Sequence, residues 1–239
     1  LARITGIFLV ELRLFTEGDS AAARRTLAGG RGMEAEGQLT ATHFWLAYMD
    51  RDFPSAIKHA RQMTGEPEGI ASSATVLRLM PRETRLAYAY RMMGDSAESK
   101  SWADSAVRRA RAELDHRPTP DPRDKFGVAA VAHGSLAVAL ALRGDPGDAE
   151  EAVRHAEEAV RLHGYEVDAV DSDLIDWNLL QTYVLTGRAD EAFSHMEELL
   201  SRPSVFGLGD LKLDPLYDGL RDDPRFPELV RRLERQTER

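Results

Sequence analysis

Carboxylates are the densest group of chemically useful side chains, and they crowd into residues 166–176. Alternating carboxylates can ligate Ca²⁺, but an EF-hand loop also needs glycine at its sixth position and a bidentate glutamate at its twelfth. Neither residue occurs at that spacing. The pattern therefore predicts helix capping and a solvated acidic face rather than a metal site. The acidic residues are Glu166, Asp168, Asp171, Asp173 and Asp176.

Histidine and glutamate share a helix face at two places in the chain. A metal centre built this way in a helical bundle needs matching ligands from further helices. Only two such groups occur, so the sequence predicts surface ion pairs on outer helices and no metal site. The two groups are Glu191, His195 and Glu198, and Glu151, His155 and Glu158.

Catalytic motifs are missing from the sequence. The chain has no cysteine, which removes thiolate nucleophiles, thiolate zinc sites and disulfide scaffolds. It also has no serine nucleophile elbow, no phosphate-binding Gly-Lys-Ser/Thr loop and no dinucleotide fingerprint. We therefore expect a protein that is not an enzyme and carries no cofactor.

Charge and hydropathy restrict the partners. The 239 residues carry a formal net charge of −9, which repels phosphate backbones and argues against nucleic acid. An uncharged run at residues 126–142 is near the lower limit for crossing a bilayer. Because this run is in phase with a helical repeat, we expect a buried helix and no membrane insertion.

The elements that position these side chains are helices. Apolar residues return every three or four positions, and strand patterns are almost absent. Short turn signals, usually Gly-Asp, separate a helix with bulky apolar residues from one rich in alanine. Glycine can adopt the left-handed conformation that ends a helix, and aspartate can cap the next. The five signals are Gly18-Asp19, Arg51-Asp52, Gly94-Asp95, Gly144-Asp145 and Gly187-Arg188.

This pattern resembles the tetratricopeptide repeat (TPR) family. The best matches are Leu86-Ala87 with Tyr90 before Gly94-Asp95, and Leu179-Leu180 with Tyr183 before Gly187. The resemblance implies an all-α fold, a right-handed α-solenoid of about five TPR-like helical hairpins over residues 1–201. Prolines at 118, 120 and 122 predict an insertion loop at 114–125.

The tail, residues 202–239, resembles the terminal segment of bacterial TPR modules attached to Ser/Thr kinases, adenylate cyclases and winged-helix regulators. Asp-Pro pairs at 214–215 and 223–224 predict short helices that form a C-terminal cap. We expect the cap to cover the last hairpin with Leu216, Tyr217, Leu220, Phe226 and Leu229. Because the chain starts at leucine, we also expect it to be part of a longer protein.

The first helix of each hairpin lines the concave groove in TPR proteins, and the matching positions here are aromatic and apolar. The resemblance therefore implies a protein or peptide partner held in this groove, with exposed aromatic side chains as anchors. The alternative for Trp45 and Trp177 is ordinary core between repeats. The predicted partner-binding residues are Trp45, Tyr48, Met49, Tyr88, Arg91, Trp177 and Gln181.

The leading hypothesis is thus a non-catalytic interaction scaffold. A second hypothesis is self-association into a homo-oligomer or a stacked assembly through the apolar helix at 126–142. A third is that the chain is the sensor or docking module of a signalling kinase or transcription regulator. The compartment stays open: the cytoplasm is favoured, and an extracytoplasmic location fits a fragment of a membrane-anchored regulator.

Overall fold

Helices form all the regular structure that can be described in this protein. The structure is a computed structural model, and it describes residues 9–29, 36–63, 80–116, 127–164, 172–202, 204 and 206–237. These ranges contain no strand, which confirms the predicted all-α class. The described helices divide into two compact units.

The first unit combines both ends of the chain. It contains the N-terminal helices, the part of α10 from Phe193 onward, and the C-terminal helices. Its elements are a π-helical α1 (Leu12–Glu17), α2 (Ser20–Gly29), α3 (Glu36–Met49), α4 (Phe53–Gln62), α11 (Leu208–Leu213), a 3₁₀ helix (Pro215–Leu220) and α12 (Arg225–Thr237).

The second unit contains the middle of the chain. Its elements are α5 (Arg82–Met93), α6 (Ser96–Asp115), α7 (Val128–Arg143), α8 (Asp148–His163), α9 (Ser172–Leu185) and the start of α10 (Ala189–Leu199). Helix α6 continues to Asp115, so it includes the first residues of the predicted insertion loop. The rest of that loop lies outside the described residues.

The five predicted turns have the predicted geometry. The first residue of each turn is left-handed, with φ between 60° at Arg51 and 85° at Gly94. Arg51 is the one residue other than glycine with positive φ among those described. The following aspartates cap the next helix at three turns: Asp19, Asp52 and Asp95 accept hydrogen bonds from backbone N–H groups three residues ahead.

Helix stacking in the second unit follows a regular order. Helices α5 and α6 pack as a hairpin, and α7 and α8 pack as the next one. Helix α7 also contacts α5 and α6, and α9 contacts α7 and α8. Each first helix therefore lies against both helices of the preceding hairpin, as in stacked helical repeats.

The C-terminal segment packs against α1 in the first unit, which the sequence did not predict. Helix α11 lies on α1. The Arg51 side chain donates hydrogen bonds to Asp218 at 2.7 Å and to the Leu213 carbonyl oxygen at 3.3 Å. The segment also touches α10, because the Arg225 guanidinium lies 4.1 Å from the Phe193 ring centroid. The segment thus completes the core around α1 as well as touching α10.

Candidate interaction site

The predicted site residues on α3 lie in the core of the first unit. Trp45, Tyr48 and Met49 are at most 3% exposed. The Trp45 ring meets Phe15 edge to face, with centroids 5.7 Å apart, and Tyr48 meets Phe53 at 6.0 Å. Such contacts add to the apolar area that each ring buries. These side chains therefore hold α1, α3 and α4 together.

The predicted residues on α5 and α9 meet inside the second unit. The Tyr88 hydroxyl donates a hydrogen bond to Gln181 Oε1, and Gln181 Nε2 lies 3.5 Å from Asn178 Oδ1. Tyr88, Gln181 and Trp177 are each at most 3% exposed. A polar network thus connects two first helices that are separated in the chain by the α7 hairpin.

Gly134 on α7 allows α9 to lie close to the α7 backbone. A β-carbon at position 134 would lie 2.7 Å from Asn178 Nδ2. The missing side chain leaves room for Asn178 beside the α7 backbone. In the second unit, side chains of the chain itself therefore fill this part of the predicted groove.

The aromatic side chains that would act as anchors if exposed are buried instead. Packing between helices makes core residues of Trp45, Tyr48, Tyr88 and Trp177. For the two tryptophans, this is the alternative that the sequence analysis gave. Arg91 is exposed at the end of α5. Met93, two residues later, is 43% exposed. Among the described residues, the other exposed large apolar side chain is Leu9.

The predicted acidic face is also altered. Asp176 is buried on α9, whereas Asp173 is half-buried in its first turn. Glu166, Asp168 and Asp171 lie outside the described residues. Within the described ranges, no three histidine, aspartate or glutamate side chains form a group that could hold a metal ion.

Ion pairs connect α6 to the following hairpin. Lys100 on α6 donates to Asp145 at 2.7 Å, and Arg111 on α6 donates to Glu151 on α8 at 2.8 Å. In one of the predicted histidine–glutamate groups, His195 Nδ1 lies 3.4 Å from Glu198 Oε2 within α10, a contact that is an ion pair only when the histidine is protonated. These pairs are on the surface or beside it, where each contributes little to stability.

A stronger ion pair closes the turn between α7 and α8. Arg143 donates from Nε and Nη2 to both carboxylate oxygens of Asp148, at 2.8 and 2.7 Å. The Asp145 N–H adds a third bond at 2.9 Å. The hydrogen bonds from Arg143 lower the pKa of Asp148 below its usual value, against the effect of burial. This bidentate pair keeps the two helix ends together over a wide pH range.

Four of the seven histidines form two pairs that the sequence analysis missed. His133 on α7 and His155 on α8 face each other, with Nδ1 atoms 2.7 Å apart. His43 on α3 and His59 on α4 stack with ring centroids 5.1 Å apart. One signal was available: His59 and His155 both follow the aspartate at the start of their helix by seven residues.

Fold and site together define the described chain as an all-helical protein that contains stacked helical hairpins. No protein-family model matches the chain, and searches of curated proteins and of solved structures give no significant match. The described ranges also contain no helix with both the length and the apolar character needed to cross a membrane.

Proposed function

We propose that this protein is a non-catalytic interaction scaffold of the TPR type, which binds a protein or peptide segment. The observation that supports this best is the stacking order in the second unit, where α5, α7 and α9 succeed one another as first helices. The left-handed turns, each at the position that the repeat pattern predicts, agree with it. In such proteins the row of first helices provides the binding surface.

The buried aromatic residues have a structural role in this proposal. Tyr88, Trp177 and Gln181 fix the distance between the first helices, so the surface presented to a partner is rigid. A partner contacts the exposed end of α5, where Arg91 supplies a charge and Met93 an apolar side chain. An extended or helical segment with one carboxylate and one apolar residue fits this chemistry.

A peptide display library panned against the full chain tests the proposal. Recovered peptides are expected to bind the wild-type protein and to lose at least tenfold in affinity for an Arg91→Glu/Met93→Asp variant. Arg108→Glu, an exposed charge reversal on α6, is the matched control and should leave binding unchanged. Peptides that bind all three proteins equally would overturn the assignment of this surface.

Burial of α7 within one chain argues against self-association through the 126–142 helix. Most of α7 is buried by α5, α6, α8 and α9 of the same chain, including Leu136, Val138 and Leu140. The apolar character of this helix is therefore accounted for within one molecule. The docking-module hypothesis makes the same prediction as the scaffold proposal: the chain alone binds and does not catalyse.

A further inference from the structure

His133 and His155 form a direct link between α7 and α8. Their Nδ1 atoms are 2.7 Å apart, and their ring centroids are 5.0 Å apart. At this distance one Nδ1 carries a proton and donates it to the lone pair of the other. Both rings are partly buried between the helices.

Glu151 decides which ring is the donor. Its carboxylate lies 3.8 Å from His155 Nε2, the ring nitrogen that points away from His133. A negative charge there favours a proton on Nε2 of His155, which leaves Nδ1 of that ring as the acceptor. His133 is therefore the donor through its Nδ1–H, and its Nε2 is free of a proton when the pair is neutral.

The two protonation steps then have opposite effects. A first proton binds Nε2 of His133, where the nearby Glu158 favours the charged ring, and the bond to His155 becomes charge-assisted. A second proton has to bind Nδ1 of His155, the acceptor itself. The second step breaks the hydrogen bond and places two cations beside each other.

The surroundings keep the pair neutral at neutral pH. Burial is the main effect that lowers the pKa of both rings below 6.5, and for His155 the charge on His133 lowers it further. The charges that act on the pair come from two helices. Helix α8 supplies Glu151, Arg154, Glu158 and Arg161, and α6 supplies Arg111.

The histidine pair lies far from the turn that connects α7 and α8. Arg143 and Asp148 hold the turn end of α7 and α8, with a pair whose charges persist in mild acid. His133 lies ten residues before Arg143, which is about 15 Å along the helix. The histidines thus hold the hairpin at a point remote from its turn.

We propose that His133 and His155 form a proton-operated latch between α7 and α8. Their hydrogen bond persists when the pair has taken up no proton or one proton, and it breaks when a second proton binds. Acid then loosens α7 from α8 away from the turn, while Arg143 and Asp148 keep the turn closed. Because α7 also packs on α5, α6 and α9, release at this point alters the middle of the second unit.

Nitrogen NMR of the imidazoles in the wild-type protein tests the tautomers. The expected neutral state has the proton of His133 on Nδ1 and that of His155 on Nε2, followed by two separate titration steps. Amide hydrogen exchange at the same pH values tests the release. Protection is expected to fall in residues 155–163 at the second step, while residues 148–152 and α6 keep theirs.

A His155→Gln variant tests the latch by stability. The glutamine oxygen can accept from His133 but cannot take up a proton. When the unfolded chain binds one more proton than the folded chain, the equilibrium constant of unfolding rises about tenfold for each unit by which the pH falls. Below pH 6.5 the wild-type protein should therefore lose stability more steeply than His155→Gln, by up to about tenfold per pH unit.

The matched control is His116→Gln, which removes an exposed histidine at the end of α6. Its pH dependence should equal that of the wild type. The proposal is overturned if His155→Gln also matches the wild type, if both rings titrate independently near pH 6.5, or if protection falls uniformly across the second unit.

Discussion

Gly209 lies directly against the backbone of Phe15. A β-carbon at position 209 would be 2.7 Å from the Phe15 carbonyl oxygen and would overlap that of Leu14. Gly207 is similarly placed, with a β-carbon position 2.8 Å from the Phe15 carbonyl oxygen. Only glycine allows α11 to approach α1 this closely. Gly207 and Gly209 therefore determine the contact between these two helices.

Gly209→Ala is expected to destabilise the first unit by about 3 kcal/mol, because the methyl group meets backbone that cannot move aside. Urea unfolding followed by tryptophan fluorescence measures the loss. Gly219→Ala is the control, since a β-carbon there has nothing within 4 Å. Equal stability of the two variants would show that α11 does not pack on α1 in this way.

Gly134→Ala is expected to destabilise the second unit by about 2 kcal/mol. The new methyl group displaces Asn178, although alanine is favoured over glycine in a helix by about 1 kcal/mol. Thermal unfolding measures the change, and adding Asn178→Ala should recover part of it by removing the clash. Stabilisation by Gly134→Ala alone would mean that α9 is farther from α7 than described.

Tyr88→Phe is expected to lower the free energy of unfolding by about 1.5 kcal/mol, because it leaves the buried Gln181 oxygen without its donor. The test is a double-mutant cycle with Gln181→Leu, which removes the acceptor as well. The two substitutions should couple by about 1 kcal/mol. Additive effects would place the two side chains out of contact.

Asp148→Asn is expected to lower stability by about 2 kcal/mol at pH 7, because it weakens the bonds from Arg143. The pKa of Asp148 is lower in the folded chain than its usual 3.8. Its contribution is therefore complete above that value and disappears as the pH falls through the folded pKa.

Denaturant unfolding between pH 7 and pH 2.5 checks this dependence. The difference between wild type and Asp148→Asn should shrink below pH 3.8. Asp222→Asn, which changes an exposed carboxylate, serves as the control and should match the wild type throughout. A difference that stays constant down to pH 2.5 would contradict the assignment.

Local features were predictable from the sequence. The left-handed glycines at 18, 94, 144 and 187 follow from neighbouring residues alone, since a helix end needs only its own turn and cap. Arg51 adopts the same conformation without being a glycine, which the residue type does not predict. Ser99 is buried in the hairpin of α5 and α6, where its hydroxyl donates a hydrogen bond to the Ala87 carbonyl oxygen at 2.9 Å.

The candidate site was less predictable because it depends on contacts across the unit. Tyr88 is covered through its contact with Gln181 on α9, and the neighbouring Asn178 fits because α7 has a glycine at position 134. The pairing of His133 with His155 likewise requires the crossing geometry of two helices. The contact of α11 with α1 joins residues almost 200 positions apart, beyond the range of any repeat pattern.

That long connection determines the order in which the protein can form during synthesis. Helices α5 to α9 contact near neighbours in sequence, so the second unit can fold while the chain is still emerging. Helix α1 has to wait for α11, which is synthesised almost 200 residues later. We therefore expect the first unit to fold later and more slowly than the second. A chain that stops before residue 208 would leave the backbone of Leu14 and Phe15 without its contact to α11.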